Sequence, residues 1–398
     1  MSQRPLRIVE VFNRYLERGG EEIAADRIRS DLRDAGHQVV SFRRSTEEWT
    51  GNQGPPKWKQ ATLLWNNPKV LRELERVSLE TQADLWILHN VVPVVSLEVY
   101  RLAGRLGMPV MQWLHNYRPI SPGGSLRAGG AALRANDPWI YLRESLAGSW
   151  RSRPLTAWLC LALTAARWRG TFGSVSQWVA VSDTMRDVFA TANWYPDRLA
   201  SLRHATDIQD AAPEPRDEGY FLYLGRLIPE KGIEFLIDLF RRPEMSDKQL
   251  FLAGTGPERE RLEPAAPSNV RWLGYISGTE KDRWLQGARA VVFPAMWPEP
   301  LGIVVYEAYN ARKPVLASAL GGLTETVQDG VTGRTLPFDQ PDAWAQALLQ
   351  LDAPTGAQWG RAGFEWLRLN ASTEVWLEGF ERLAREIIPA SHRARVAE

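Results

Sequence analysis

Two glutamates, Glu299 and Glu307, stand eight positions apart in Trp297-Pro-Glu-Pro-Leu-Gly-Ile-Val-Val-Tyr-Glu307. Pro298 and Pro300 hold Glu299 in an extended loop, because a residue before proline is pushed away from helical angles. Gly302 to Asn310 reads as a helix with an apolar face, so Glu299 precedes the helix and Glu307 lies inside it. At the junction, around Leu301, Gly302 and Ile303, first-turn amides are unpaired donors at the positive end of a helix dipole, a seat for a diphosphate. One carboxylate can then hold sugar hydroxyls and the other ribose hydroxyls, which is chemistry suited to a sugar carried on a nucleotide. An isolated pair at this spacing is more often a solvated helix face, so the reading needs support from the rest of the chain.

That support comes from Phe221-Leu-Tyr-Leu-Gly-Arg-Leu-Ile-Pro-Glu-Lys-Gly232, Leu252-Ala-Gly-Thr-Gly-Pro257, Val270-Arg-Trp-Leu-Gly-Tyr275 and Gly321-Gly-Leu-Thr-Glu-Thr-Val-Gln-Asp-Gly-Val-Thr-Gly333. With these blocks in order, the chain resembles the retaining GT-B glycosyltransferases of family 4, whose marker is a Glu, seven residues, Glu pattern. The resemblance implies an α/β fold of GT-B architecture: two Rossmann-like domains with a cleft between them and a C-terminal helix crossing back to the first. It implies metal-independent transfer of a hexose-type unit from a nucleotide diphosphate sugar, with UDP our guess, to a hydroxyl of a glycan, lipid-linked glycan or small metabolite. The resemblance further implies that anomeric configuration is retained without a covalent intermediate and that the leaving phosphate accepts the acceptor's proton on the same face. The expected partners are the nucleotide sugar and the hydroxyl acceptor, with no cofactor besides the donor and no nucleic acid. Two other readings stay open. A GT-B nucleotide-sugar epimerase would release an altered sugar nucleotide without any acceptor, and a non-catalytic sugar-nucleotide or membrane-binding module would turn nothing over.

A departing diphosphate needs positive charge as the glycosidic bond breaks. Arg226, after the strand Tyr220 to Gly225, and Lys231, at the start of the next helix, can converge above the carboxyl end of a sheet, where open α/β folds bind ligands. Arginine grips phosphate bidentately and lysine adds a mobile point charge, although two solvated surface charges are the plain alternative. No metal ligand set with sensible spacing appears, and the two cations can replace a divalent ion electrostatically. His115 ends a strand in a segment similar to the family's His-Asn run beside the donor sugar, which implies hydrogen bonding to the sugar and support of an oxocarbenium-like transition state. A satisfied buried histidine is the alternative. Gly19-Gly20 is too short for a dinucleotide fingerprint, but it lets the backbone approach a phosphate or sugar at a helix start. By resemblance, Gly254 lets the chain pass near the nucleotide, and Tyr275 and Ile276 turn backbone atoms to the base. Where the family carries Asn-Gly-hydrophobic-Asp, His204-Ala-Thr-Asp207 keeps only the aspartate, to which no catalytic role is given.

The elements that must position these residues alternate short apolar runs with helical patterns, the mark of a parallel sheet covered on both faces. Strands are expected over 7–12, 38–42, 85–89, 110–114 and 178–181, with helices over 21–35, 71–80 and 97–106, and Ser182 capping another. Residues 1–210 read as an acceptor-side domain, 211–219 as a proline-rich linker, 220–373 as the donor-binding domain and 374–398 as the returning helix. Residues 50–68 and 119–137 read as long loops.

At 398 residues the chain exceeds one core, and 44% apolar with 24% charged residues is an ordinary globular composition. One cysteine, Cys160, excludes an internal disulfide and reads as core filler. No secretory signal opens the chain and no apolar run is long enough to span a bilayer, so a cytoplasmic location is expected. Residues 1–200 hold 26 Lys and Arg against 19 Asp and Glu, so a basic first half conceals itself within a net charge of +1. Arg143, Arg151, Arg153, Arg167 and Arg169 flank the Trp-rich segment 150–168. This stretch suits peripheral contact with anionic lipid at the inner membrane face, or else it is a buried helix with solvated arginine flanks.

Overall fold

Short runs of mostly apolar residues, with Gln112 and Ser318 as buried polar exceptions, form the centre of each sheet. Leu85–Leu88, Val110–Leu114, Phe221–Leu224, Leu250–Ala253, Ala290–Phe293 and Val315–Ser318 are buried along their whole length. Burial on both faces is what a parallel sheet sandwiched by helices requires, and it explains why these strands do not alternate in polarity. The computed structural model describes residues 5–16, 19–51, 54–150, 152–210 and 216–389. The chain divides into two units, one running to Ala205 and resuming at Thr373, the other comprising Thr206–Ser372.

In the first unit six parallel strands lie in the order Gln38–Ser45, Arg7–Arg14, Leu85–Leu88, Val110–Leu114, Gln177–Ala180, Leu199–Ser201. The order reverses between Arg7–Arg14 and Leu85–Leu88, so the loops after these two strands diverge and leave a crevice at their carboxyl ends. The helix Thr373–Ile387 completes this unit: Trp376 lies 6.0 Å from the ring of Trp113, Phe380 lies 5.9 Å from His37, and Arg27 Nη2 donates to Thr373 Oγ1 at 2.7 Å.

In the second unit the order is Val270–Gly274, Leu250–Ala253, Phe221–Leu224, Ala290–Phe293, Val315–Ser318, Gly333–Leu336, all parallel. This is the doubly wound order 3-2-1-4-5-6, with its reversal between Phe221–Leu224 and Ala290–Phe293.

Two expectations need correction. Residues 50–68 are not one long loop, because Lys57–Trp65 is a helix anchored by Gln60 Nε2, which donates to the carbonyls of Trp49 and Pro55 at 3.0 and 2.9 Å. Only Leu64 of that helix is buried, so it carries no amphipathic signal. Residues 119–137 contain a small hairpin, Arg127–Ala128 with Ala131–Ala132, and Gly123 N donates to Glu144 at 2.5 Å. The unit boundary at Ala205 and Thr206 precedes the stretch read as linker. Of that stretch, residues 211–215 lie outside the described residues, as do Arg151 and residues 390–398 of the terminal segment; Arg216 N and Glu218 N donate to the carbonyls of Gln286 and Gly287 within the second unit.

Candidate active site

The loops after the two strands at the reversal of the second sheet carry the charged residues. The loop after Phe221–Leu224 continues to pair with its neighbour, Gly225 N donating to Ala253 O at 3.0 Å and Leu227 N to Thr255 O at 2.8 Å. Gly254 makes this possible. Its φ of +145° and a Cβ that would meet Gly225 O at 1.8 Å exclude any side chain. The glycine thus has a packing reason of its own. The loop then turns through Pro229–Lys231, and Met296 N donates to Glu230 O at 2.8 Å, tying it to the loop after Ala290–Phe293.

These pairings bring Lys231 to Glu299, with Nζ 2.7 Å from Oε2 and side chains 10% and 12% exposed. The ammonium also lies 4.8 Å from the Phe293 ring and 5.4 Å from that of Trp297. Behind Glu299 the Gly321-Gly322 turn presses on the loop backbone: a Cβ on Gly321 would sit 2.4 Å from Glu299 O, and Gly322 N donates to that carbonyl at 2.7 Å. Arg226 is exposed, and its carbonyl accepts from Tyr223 Oη at 2.9 Å. Burial pushes the Tyr223 hydroxyl well above its usual value, and the Glu299 charge adds to this.

Gly302, at φ +83°, precedes the helix Ile303–Asn310, which has no side-chain cap. Its first amides, those of Ile303 and Val304, have no backbone partner among the described residues. Leu301, just before this start in the chain, is buried. Glu307, one helical turn and more further on, pairs with Lys281 at 3.1 Å, a partner that the sequence did not suggest because it comes from a separate helix, Gly278–Gly287. Tyr275 is exposed at 75% and Ile276 is buried. Among the described residues no group of three His, Cys, Asp or Glu side chains is placed to hold a metal ion.

His115, Gly19 and Gly20 belong to the first unit. His115 ends the strand Val110–Leu114, and its Nε2 lies 2.8 Å from His89 Nδ1; its ring stacks on His204 at 5.3 Å, and its Nδ1 is buried without a partner. Burial, reinforced by the neighbouring imidazoles, holds its basicity well below the usual value, so the ring is neutral. It borders a cavity of about 60 Å³ shared with Glu21, Asn116 and Arg118. Glu21 Oε2 accepts from Tyr15 Oη at 2.9 Å and from Asn116 Nδ2 at 3.2 Å, and enclosure raises its pKa. Residue types alone did not single out Glu21, since acids are common in a first helical turn. Gly19 caps the helix Gly20–Asp34, and a Cβ at Gly19 or Gly20 would meet open space.

Residues 205–365 match the family model described as glycosyl transferases group 1. A glycosyltransferase of Methanocaldococcus jannaschii is 31% identical over 197 residues, 47% of either chain, so the match spans about half the length of that relative. The alpha-D-kanosaminyltransferase of Streptomyces kanamyceticus is 25% identical over 320 residues, covering 74% of this chain and 73% of the relative. Among solved structures, HepE of Anabaena in complex with UDP-glucose superimposes with a TM-score of 0.63 at 16% identity, over 96% of this chain and all of that one. The fold is GT-B, and the Glu299 to Glu307 block lies inside the stretch, 205–365, that matches the glycosyl transferases group 1.

Proposed function

We propose that this protein is a retaining glycosyltransferase that moves a hexose-type sugar from a nucleotide diphosphate donor, UDP in our reading, to a hydroxyl of a glycan, lipid-linked glycan or small metabolite. The observation that carries the proposal is the Lys231–Glu299 pair at the reversal of a 3-2-1-4-5-6 sheet, with the uncapped start of the Ile303–Asn310 helix in the same loop segment. In this reading the Ile303 and Val304 amides and the helix dipole hold the diphosphate. Arg226 and Lys231 meet the charge that develops on the leaving phosphate, so their contribution is concentrated in the transition state. Glu299, anchored through its backbone by Gly322, directs Lys231 and accepts from sugar hydroxyls. Glu307 accepts from the ribose, and Tyr275 and Ile276 offer backbone atoms to the base.

A neutral His115 donates or accepts one hydrogen bond through its unpartnered Nδ1 and supports the oxocarbenium-like sugar, while the departing phosphate takes the acceptor's proton on the same face. The structural relative captured with UDP-glucose supports a uridine donor. Location in the cytoplasm, with peripheral contact at the inner membrane face, belongs to the same reading.

The test is a thermal-shift panel of UDP, GDP, ADP and TDP sugars followed by transfer to a hydroxyl acceptor, with the anomeric configuration read by NMR. Binding to the folded state raises the melting temperature with donor concentration. A protein that no sugar nucleotide stabilises sinks the proposal, and an altered sugar nucleotide released without acceptor assigns epimerase chemistry instead. Turnover is expected to persist in EDTA; loss in chelator with recovery in magnesium refutes the metal-independent step.

A further inference from the structure

The helix Arg153–Trp168 is apolar on two sides. Leu159, Cys160, Leu163 and Ala166 face the core, yet Leu155, Trp158, Leu161 and Trp168 are exposed, the last two at 63% and 88%. A helix apolar all round is ordinarily buried on all sides, and this one is not. Its neighbours extend the exposed face. On one flank Ser145 Oγ meets Cys160 Sγ at 3.3 Å, which sets the helix Ile140–Ala147 alongside with Leu142 and Leu146 exposed. On the other flank Trp158 Nε1 donates to Ala61 O at 3.2 Å, which sets the helix Lys57–Trp65 alongside with Trp58 74% exposed. Exposed apolar side chains gathered on three adjoining helices, rather than scattered singly, mark a binding face.

The charges around this surface are one-sided. Residues 145–182 contain four arginines and neither aspartate nor glutamate. Arg153, Arg167 and Arg169 are exposed at the two ends of the long helix, with Lys57 and Lys59 on the flanking one. Arg167 and Arg169 lean on the rings of Trp194 and Trp65, at 5.3 and 5.4 Å, which holds their guanidinium groups at the rim. No helix among the described residues is long and apolar enough to cross a membrane. Tryptophan and leucine in the centre with a cationic rim is the composition of a surface that settles into the headgroup layer of an anionic bilayer. We propose that the three-helix face formed by 57–65, 140–147 and 153–168 docks on an anionic lipid surface, with Trp168, Leu161, Leu146 and Trp58 entering the acyl boundary and the arginines meeting lipid phosphates. This inference rests on the peripheral-contact part of the proposed function and names the face that makes it; it uses none of the residues assigned to the donor, so its failure leaves the transfer reading standing.

The experiment is flotation of the full chain with vesicles of phosphatidylcholine alone or mixed with phosphatidylglycerol, at low and high salt. Expected are recovery with the anionic vesicles, a blue shift of tryptophan emission on binding, and partial release by salt, which screens the arginines but leaves the apolar insertion. Leu161→Glu with Trp168→Glu removes solvent-facing groups only, so the melting temperature is expected to hold while partitioning falls about tenfold or more. Failure to float with anionic vesicles overturns the proposal, as does flotation that the double variant leaves unchanged. Lipid-free sedimentation showing a dimer that the double variant dissociates overturns it too, because the occupant of this face is then a second copy of the chain.

Discussion

Lys231 Nζ lies 2.7 Å from Glu299 Oε2 although 68 residues separate the two in the chain, and each side chain is close to nine-tenths buried. The pair joins the loops that follow the two strands at the sheet reversal, so the strand order itself makes the contact. Removing one partner leaves the other charge enclosed and unmatched, which makes the two single substitutions distinguishable.

Lys231→Ala is expected to lower kcat by about a hundredfold to a thousandfold, the usual cost of losing a donor aimed at developing charge, while the donor Kd changes by much less. Steady-state kinetics alongside direct titration with the sugar nucleotide check this. An equal loss in both parameters assigns Lys231 to ground-state binding instead.

Glu307→Ala removes the ribose contact and frees Lys281 from its partner at 3.1 Å. Donor Kd should rise about tenfold with kcat nearly unchanged, the pattern of lost uniform binding. Calorimetry with the nucleotide diphosphate reads the affinity without interference from turnover.

Two glycine substitutions should separate function from folding. At Gly20 a Cβ meets open space, so Gly20→Ala should keep the melting temperature while kcat/KM falls severalfold if backbone closeness to the ligand matters. At Gly254 a Cβ meets Gly225 O at 1.8 Å, so Gly254→Ala should destabilise by about 3 kcal/mol or prevent folding, measurable by denaturant unfolding. Equal stability for both variants contradicts the packing role given to Gly254.

Burial, partly offset by Glu10, holds His89 at about 4, and burial with the nearby His89 holds His204 at about 3, against 6.5 for a free imidazole. Both rings are neutral in the folded protein at pH 7. As pH falls below 6.5 the unfolded chain takes up protons that the folded chain refuses, so stability is lost across the window from 6.5 down to those depressed values. Each ring should remove about 2 kcal/mol by pH 5. Denaturation midpoints measured between pH 7 and 5 read the slope, and His204→Gln should flatten it by about one proton.

Much of the candidate site was legible in residue types and spacing. Proline on either side of Glu299, glycine at 302 and the apolar face after it specify a loop and a helix start within eleven consecutive residues, all of it local geometry. The same holds for the strands at 85–88, 110–114 and 221–224, whose largely apolar runs read directly as buried parallel strands. The helix at Lys57–Trp65 was not legible because with Leu64 alone buried it has no periodicity to show.

Local pattern by itself determined the residue types on offer and, around Glu299 and the helix start at Ile303, the backbone conformation they occupy, while Glu21, Lys281 and the helix Lys57–Trp65 escaped it. Tertiary structure alone decided which of them meet. Lys231 reaches Glu299, Lys281 reaches Glu307, His89 and His204 flank His115, and Gly225 lies against Gly254 only because strands far apart in the chain become neighbours in a fixed order. Hydrophobic periodicity fixes that a strand is buried and which way its side chains point, but interior strands of a doubly wound sheet are nearly alike in composition. Their order is therefore settled by crossover handedness and by the packing of the helices between them.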